Sequence, residues 1–254
     1  MQQHLIIDIG AHRGEDAEYY LSKGFRVVAV EANPILVDHI KSRLGSFIQA
    51  GQLTLLHYGI ADRKTKIPFY INDKDDWSSF VPEFGQRNGK FTTVTVDCIS
   101  LTDILHVYGE PYYLKIDIEG HDDLCIRDLL GGGFRPKYVS VEATVPNFFQ
   151  RMLAGGYSDF KIVSQIWHTL QKPMIPPLEG KVTHMPTTGF MTGPFGEESP
   201  GPWISAPDAS LELTLIHQQK WGQTKQHLEQ GVPLGILEKS WFDFHARLSE
   251  KRMP

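Results

Sequence analysis

The sequence has few of the features that mark secreted, membrane-spanning or nucleic-acid-binding proteins. Only two of its 254 residues are cysteines, Cys98 and Cys125, which is too few for a disulfide scaffold, so both are expected to be buried thiols. No apolar run approaches the roughly 18 residues of a membrane-spanning helix. The first residues lack the charged start and long apolar core of a secretory signal. These absences predict a cytoplasmic protein with no membrane partner.

Positive charge is also scarce. The chain has 25 Lys and Arg against 30 Asp and Glu, which gives a net charge of −5 at neutral pH. The densest basic stretch, residues 63–66, is short, and no basic stripe is present. Because nucleic-acid binding depends on clustered Lys and Arg that neutralise phosphates, we expect no nucleic-acid partner.

Apolar runs and helical patterns alternate along the first two thirds of the chain. The predicted strands are residues 4–9, 26–30, 53–58, 67–71, 91–96, 112–117, 138–142 and 160–165. The predicted helices are residues 15–23, 34–44, 101–107, 122–130 and 147–153. This alternation is typical of a mostly parallel sheet covered by helices on both faces. Ligands of such sheets bind beyond the carboxyl ends of the strands.

The composition changes near residue 167, where prolines and glycines become frequent. We therefore divide the chain into a core, residues 1–166, and a region that completes or caps it, residues 167–254. A helix is predicted from Ser205 to about Lys220, and a second, amphipathic helix over residues 234–248. The pattern does not fix the position of a seventh strand, and residues 181–185 are one candidate.

A glycine loop with the sequence DIGAHRG follows the first strand, as residues 8–14. Gly10 and Gly14 allow the backbone to approach a ligand and turn into a helix. The loop lacks the G-x-G-x-x-G pattern of dinucleotide sites and the lysine of a phosphate-binding P-loop. Asp8 would repel a pyrophosphate but attract an ammonium group, and Glu31 ends the next strand at the spacing of a ribose-binding acid. The pattern favours S-adenosyl-L-methionine as the cofactor.

Several segments resemble FkbM-family methyltransferases in both order and spacing, over about residues 4–165. They are IIDIGAHRGEDAEYYLSKG, VVAVEANP, GIADRKTKIPFY, TVTVDCISLTDIL, YYLKIDIEGHDDLCIRDL and PKYVSVEA. The resemblance implies an α/β class I methyltransferase fold, Rossmann-like and doubly wound, with a mostly parallel seven-stranded sheet and here a C-terminal cap. It also implies that the protein transfers a methyl group to an oxygen atom. The acceptor would be a small molecule or a glycan, and the oxygen would belong to a hydroxyl of a sugar or a natural product.

The candidate cofactor-binding residues follow the strand ends. Asp8 and Gly10 are expected at the methionine end, Glu31 and Asn33 at the ribose, and the segment after the third strand at the adenine, where the resemblance places it. The full set is Asp8, Gly10, Gly14, Glu31, Asn33, Ala61, Asp62 and Asp117.

The candidate catalytic residues are Asp117, Glu119 and His121, one of which would take the proton of a hydroxyl acceptor. These residues are spaced two apart, so on a strand they would lie on one face and could offer oxygen and nitrogen ligands to a divalent metal. With no second cluster nearby in the sequence, we predict no metal. Lys115 is expected to form a structural ion pair, and Glu142 is equally suited to face the acceptor or to pack.

The sequence is also compatible with two other functions. A nicotinamide-dependent oxidoreductase could use the same crevice, although the missing middle glycine and Asp8 argue against it. A non-catalytic module could keep the fold, although the Asp117–Glu119–Gly120 corner argues against that. The sequence is compatible with a homo-oligomer.

Overall fold

The computed structural model describes residues 4–143, 145–164, 172–216 and 242–249. Its strands are β1 (Leu5–Ile9), β2 (Arg26–Glu31), β3 (Leu53–His57), β4 (Gly59–Ile60), β5 (Thr65–Asn72), β6 (Phe91–Ile99), β7 (Tyr113–Ile116), β8 (Tyr138–Glu142), β9 (Tyr157–Ser164) and β10 (Phe242–Leu248). Its helices are α1 (Glu15–Ser22), α2 (Pro34–Gln49), α3 (Pro82–Gly85), α4 (Leu101–Tyr108), α5 (Asp122–Gly131), α6 (Phe148–Ala154) and α7 (206–216).

Seven strands form one sheet in the order β3-β2-β1-β7-β8-β10-β9. The five neighbouring strands β3, β2, β1, β7 and β8 run parallel to one another. Strand β10 is antiparallel to both of its neighbours. The order reverses between β1 and β7, which is the point where such sheets open a ligand crevice. The predicted doubly wound, mostly parallel sheet is confirmed.

The central strands are buried on both faces, which explains their almost continuous apolar runs. Ile7 and Ile9 of β1 pack into the core on one side of the sheet, and Ile6 packs into the core on the other. Cys98 and Cys125 are free and buried, as expected. No helix in the described ranges has the length and apolar character required to cross a membrane.

Local signals position the helices that flank the crevice. The side chain of Asn33 accepts a hydrogen bond from the Ile35 N–H and so caps α2, which begins at Pro34. Ser100 caps α4 in the same way by accepting from the Asp103 N–H. Gly14 has a left-handed conformation just before α1. The crevice is thus bordered by turns whose chemistry is readable in the sequence.

A smaller sheet, in the order β4-β6-β5, stands beside the large one. Residues 73–90 connect β5 to β6 and contain α3. Residues 172–204 pack against α1 and the starts of β7 and β8, and residues 189–190 reach the cleft. They are held there by the Phe195 ring, which stacks on Tyr113 with centroids 4.2 Å apart, and by a buried ion pair between Lys23 and Glu198 at 2.7 Å.

The candidate for the seventh strand was wrong. Residues 181–185 form no strand, and Phe242–Leu248, expected to be helical, is β10 between β8 and β9. Asp243 and His245 are buried on one side of β10 and Phe244 and Ala246 on the other, so both faces of this strand are covered. The predicted helical residues 217–220 and 234–241 lie outside the described residues.

Candidate functional site

A cleft of about 180 Å³ lies beyond the carboxyl ends of β1, β2, β7 and β8. One side is formed by the glycine loop and Glu31, and the inner end by Asp117, Glu119 and Glu142. Residues 75–78 and 189–190 form its mouth. The cleft therefore occupies the switch point of the sheet, where the sequence placed a ligand.

Gly10 positions the loop over the end of β7. It has a φ of 85°, and a Cβ added there would lie 1.8 Å from the backbone oxygen of Asp117. Gly14, also predicted to bind the cofactor, lies outside the cleft lining. A Cβ on Gly14 would meet the side chains of Leu44 and Ile40 at 3.2 and 3.3 Å, so this glycine serves the packing of α2.

Glu31 faces the cleft with a fixed carboxylate. Its Oε2 accepts a hydrogen bond from the His12 N–H at 2.8 Å, and its Oε1 accepts from the Asn33 N–H at 2.7 Å. Burial raises the pKa of Glu31 to about 7, although these N–H groups favour the charged form. Each oxygen keeps a further lone pair, so the group can accept two hydroxyl hydrogen bonds.

Three predicted cofactor residues lie elsewhere. Asn33 is buried with its side chain engaged as the cap of α2. Ala61 is buried and donates its N–H to the Ile99 oxygen, and Asp62 is exposed beside Arg63. Ile60, the residue just before them, is the one that lines the cleft. The two-residue strand β4 ends at Ile60, and the chain then turns away from the cleft.

Asp8 is fully buried behind the cleft, which corrects its predicted contact with a ligand ammonium. Its partner is Lys115, whose Nζ lies 3.2 Å from Asp8 Oδ1 and 3.5 Å from Asp16 Oδ2. The same Nζ donates to the Gly10 oxygen. Burial raises the pKa of Asp8 to about 7, against the opposing effect of Lys115. Lys115 thus forms the structural ion pair that was predicted.

Three carboxylates meet at the inner end of the cleft. Asp117 follows β7, Glu119 lies in the next turn, and Glu142 ends β8; one carboxylate oxygen from each lies within 4.8 Å of the others. In the parallel register Ile116 faces Val141, so Asp117 and Glu142 are at neighbouring strand ends. Burial, followed by repulsion from Asp117, raises the pKa of Glu119 to about 8 and that of Glu142 to about 9.

His121 does not join this cluster, contrary to the prediction. The left-handed φ values of Glu119 (47°) and Gly120 (101°) reverse the chain, so the alternation of a strand stops before His121. Its ring stacks on Phe80 at 5.7 Å, and its Nδ1 lies 3.4 Å from the Ile60 oxygen. Glu142 takes the place expected for His121.

The mouth is built from two distant segments. Asp75 accepts a hydrogen bond from Arg13 Nε at 2.8 Å and lies 3.3 Å from His12 Nε2, which ties residues 75–78 to the glycine loop. Phe190 lines the cleft although it is 81% exposed. The chain just after it is anchored because Asp16 accepts hydrogen bonds from the Thr192 and Gly193 N–H groups.

The strand order and the cleft together define a class I methyltransferase fold. A model of the FkbM methyltransferase domain matches residues 8–170, more than half of the chain. The chain therefore belongs to the FkbM methyltransferase family, and this membership implies the use of S-adenosylmethionine. No curated protein matches the sequence.

Three solved structures illustrate the similarity of fold. A precorrin-6y methyltransferase from Geobacter metallireducens has 13% identity and a TM-score of 0.39, with 97% of this chain and 80% of that chain covered. A SAM-dependent O-methyltransferase from Thermotoga maritima has 8% identity and a TM-score of 0.38, with 98% of this chain and 61% of that chain covered. A precorrin 8W decarboxylase from Methanobacterium thermoautotrophicum has 10% identity and a TM-score of 0.36, with 71% and 76% covered.

Proposed function

We propose that the protein transfers a methyl group from S-adenosylmethionine to a hydroxyl oxygen of a sugar or natural product. The observation that carries this proposal is the group of three carboxylates at the inner end of the cleft, on the strands next to the glycine loop. The family membership supports the methyl-transfer chemistry, and the carboxylates support oxygen as the acceptor atom.

The lining of the cleft suits a positively charged cofactor. Eight carboxylate residues line it, against two permanently charged cations, Lys115 and Arg87, and Lys115 is already paired with buried acids. A dinucleotide would bring two phosphates into this negative surface, which argues against the oxidoreductase alternative. S-adenosylmethionine, when bound, supplies a methyl group on a positively charged sulfur.

Glu31 would hold the ribose of this cofactor, since both of its oxygens are fixed by backbone N–H groups and still have lone pairs available. Ile60, Leu36 and Phe69 provide an apolar wall on the same side of the cleft and would contact the adenine. Because Gly10 has no side chain, the loop can pass close to the end of β7 and leave the space between Glu31 and Asp117 open.

The carboxylates would serve the acceptor. In an O-methylation the new bond would join the acceptor oxygen to the methyl carbon, the carbon–sulfur bond would break with its electrons on sulfur, and the hydroxyl proton would pass to Asp117. Asp117 and Glu119 are placed to accept a hydrogen bond from the hydroxyl and so orient its oxygen. A non-catalytic module would have no use for such a group of like charges, which are costly to keep together.

The experiment is a transfer assay with methyl-labelled S-adenosylmethionine and a panel of glycosides, polyhydroxylated natural products and amines. We expect label on an oxygen, with turnover strongly reduced in Asp117→Asn and retained in Asp62→Asn, which removes a charge outside the cleft. Label only on nitrogen or carbon, or full turnover by Asp117→Asn, would contradict the proposal.

A further inference from the structure

We propose that Asp117, Glu119 and Glu142 bind a hard divalent cation, such as Mg²⁺ or Mn²⁺, at the inner end of the cleft. The sequence predicted no metal because the third ligand it offered was His121, which the structure turns away. The fold brings Glu142 from the neighbouring strand into that position.

The spacing of the three carboxylates fits one shared cation. The relevant oxygens lie within 4.8 Å of one another. Oxygen ligands bind Mg²⁺ at about 2.1 Å and Ca²⁺ at about 2.4 Å, so two ligands on opposite sides of one ion are about 4.2 to 4.8 Å apart. Oxygens within 4.8 Å of one another therefore fit the coordination shell of one ion.

Glu142 provides a second and independent indication of a bound cation. It lines the cleft, yet it is only 9% exposed. None of the described residues donates a hydrogen bond to its carboxylate or forms an ion pair with it, and Lys115, which lies 3.8 Å from Asp117, is engaged with Asp8 and Asp16. The carboxylate opens into the cleft beside those of Asp117 and Glu119, so a cation bound there would give it the partner that the described residues do not supply.

The ligand chemistry selects the kind of metal. All three groups are carboxylates, and both cysteines are buried elsewhere, so the site favours oxygen-seeking ions over Zn²⁺ or Cu²⁺. Mg²⁺ and Mn²⁺ take about six ligands, so about three positions remain for water or substrate oxygens. If the proposed function holds, an acceptor with two adjacent oxygens would fill two of these positions.

The test is a titration of the metal-free, purified full-length chain with Mn²⁺, followed by electron paramagnetic resonance, without cofactor or acceptor. The six-line signal of free Mn²⁺ disappears on binding, which gives the affinity and the stoichiometry. Because no methyl transfer is measured, failure of the proposed function leaves this result intact. Glu142→Gln and Glu119→Gln remove one ligand each, and Asp62→Asn is the matched control with the same loss of charge outside the cluster.

We expect saturable binding of one Mn²⁺ per chain, competition by Mg²⁺, and an affinity reduced at least about tenfold in both ligand variants but unchanged in Asp62→Asn. Thermal denaturation without metal shows that each variant is folded, and added Mn²⁺ should raise the melting temperature of the wild type and of Asp62→Asn more than that of either ligand variant. No saturable binding by the wild type, or equal binding by folded Glu142→Gln and Glu119→Gln, would overturn the proposal.

Discussion

A Cβ at Gly10 would lie 1.8 Å from the backbone oxygen of Asp117, because the glycine loop passes directly over the end of β7. Beside this contact, the Asp117 N–H donates a hydrogen bond to the Ile9 oxygen at 2.9 Å. The side of the cleft assigned to the cofactor and the side assigned to the acceptor are therefore parts of one rigid junction between β1 and β7.

Gly10→Ala should disrupt this junction. The left-handed conformation alone costs a non-glycine residue about 1–2 kcal/mol, and the backbone oxygen of Asp117 adds an overlap that no side-chain rotation relieves. We expect a loss of at least about 3 kcal/mol in the free energy of unfolding. Urea denaturation monitored by tryptophan fluorescence measures it.

Gly51→Ala is the matched control, since Gly51 also has a positive φ, of 69°, but no atom lies within 4 Å of an added Cβ. It should cost only about 1–2 kcal/mol from backbone strain. Equal losses in the two variants would show that the overlap with Asp117 has no energetic consequence.

Lys115→Met should leave the fully buried Asp8 without its cation. Removing one partner of a buried ion pair costs about 3–5 kcal/mol, because an uncompensated charge remains. The double variant Asp8→Asn/Lys115→Met should recover part of that loss, since the buried charge is also removed. Unfolding in urea of the two single variants and the double variant gives the coupling. Strict additivity would contradict the assignment of Lys115 as the partner of Asp8.

The sequence revealed the parallel core but missed its last strand, for a physical reason. The segment FDFHARL alternates in polarity and was interpreted as part of an amphipathic helix that began upstream. The polar residues Asp243 and His245 are buried in the protein, as are the apolar residues between and after them. The polar residues of this segment therefore do not mark a solvent-exposed face. Its neighbours, β8 and β9, are far away in the sequence, and only tertiary packing decides the pairing.

The candidate site was partly predictable for a similar reason. Glu31 ends β2 and Asp117 follows β7, and strand ends of a parallel sheet meet at one edge. Asn33 and His121 were predicted by proximity in sequence and Asp62 by the family resemblance, but the side chain of each points elsewhere. The adjacency of Asp117 and Glu142 required the strand order, which the local pattern does not contain.

Glu31 should make cofactor affinity depend on pH. Burial raises its pKa to about 7, so the carboxylate that accepts two ribose hydroxyls is the main form only above that pH. Below it the protonated acid can no longer accept with both oxygens. The affinity for S-adenosylhomocysteine should fall by roughly tenfold from about pH 8 to about pH 6, as measured by calorimetric titration.

Glu31→Gln is the control for this titration. The variant should bind more weakly and lose most of the pH dependence. Asp8 also has a pKa raised to about 7, but it is unchanged in the variant, so the difference between the two proteins reports Glu31. The same pH slope in Glu31→Gln would assign the effect to another group.

Phe190→Ala should weaken ligand binding without affecting the fold. The ring is 81% exposed and yet lines the cleft, so in the free protein it packs little and in the complex it would cover the ligand. We expect an unchanged free energy of unfolding, within about 0.5 kcal/mol, and a severalfold weaker affinity for S-adenosylhomocysteine.

The control for Phe190 is Ile175→Ala. Ile175 lies in the same segment and is 74% exposed, but it is outside the cleft lining. Its variant should match the wild type in both stability and affinity. A parallel loss of affinity in both variants would mean that the whole segment, rather than the Phe190 ring, affects the cleft.

The most direct test of the account is a calorimetric titration of the purified protein with S-adenosylhomocysteine, with NAD titrated in parallel. Glu31, the acidic lining and the family membership together predict binding of one S-adenosylhomocysteine per chain and no binding of NAD. Binding of NAD alone, or of neither compound, would contradict the assignment of this cleft to an adenosyl cofactor.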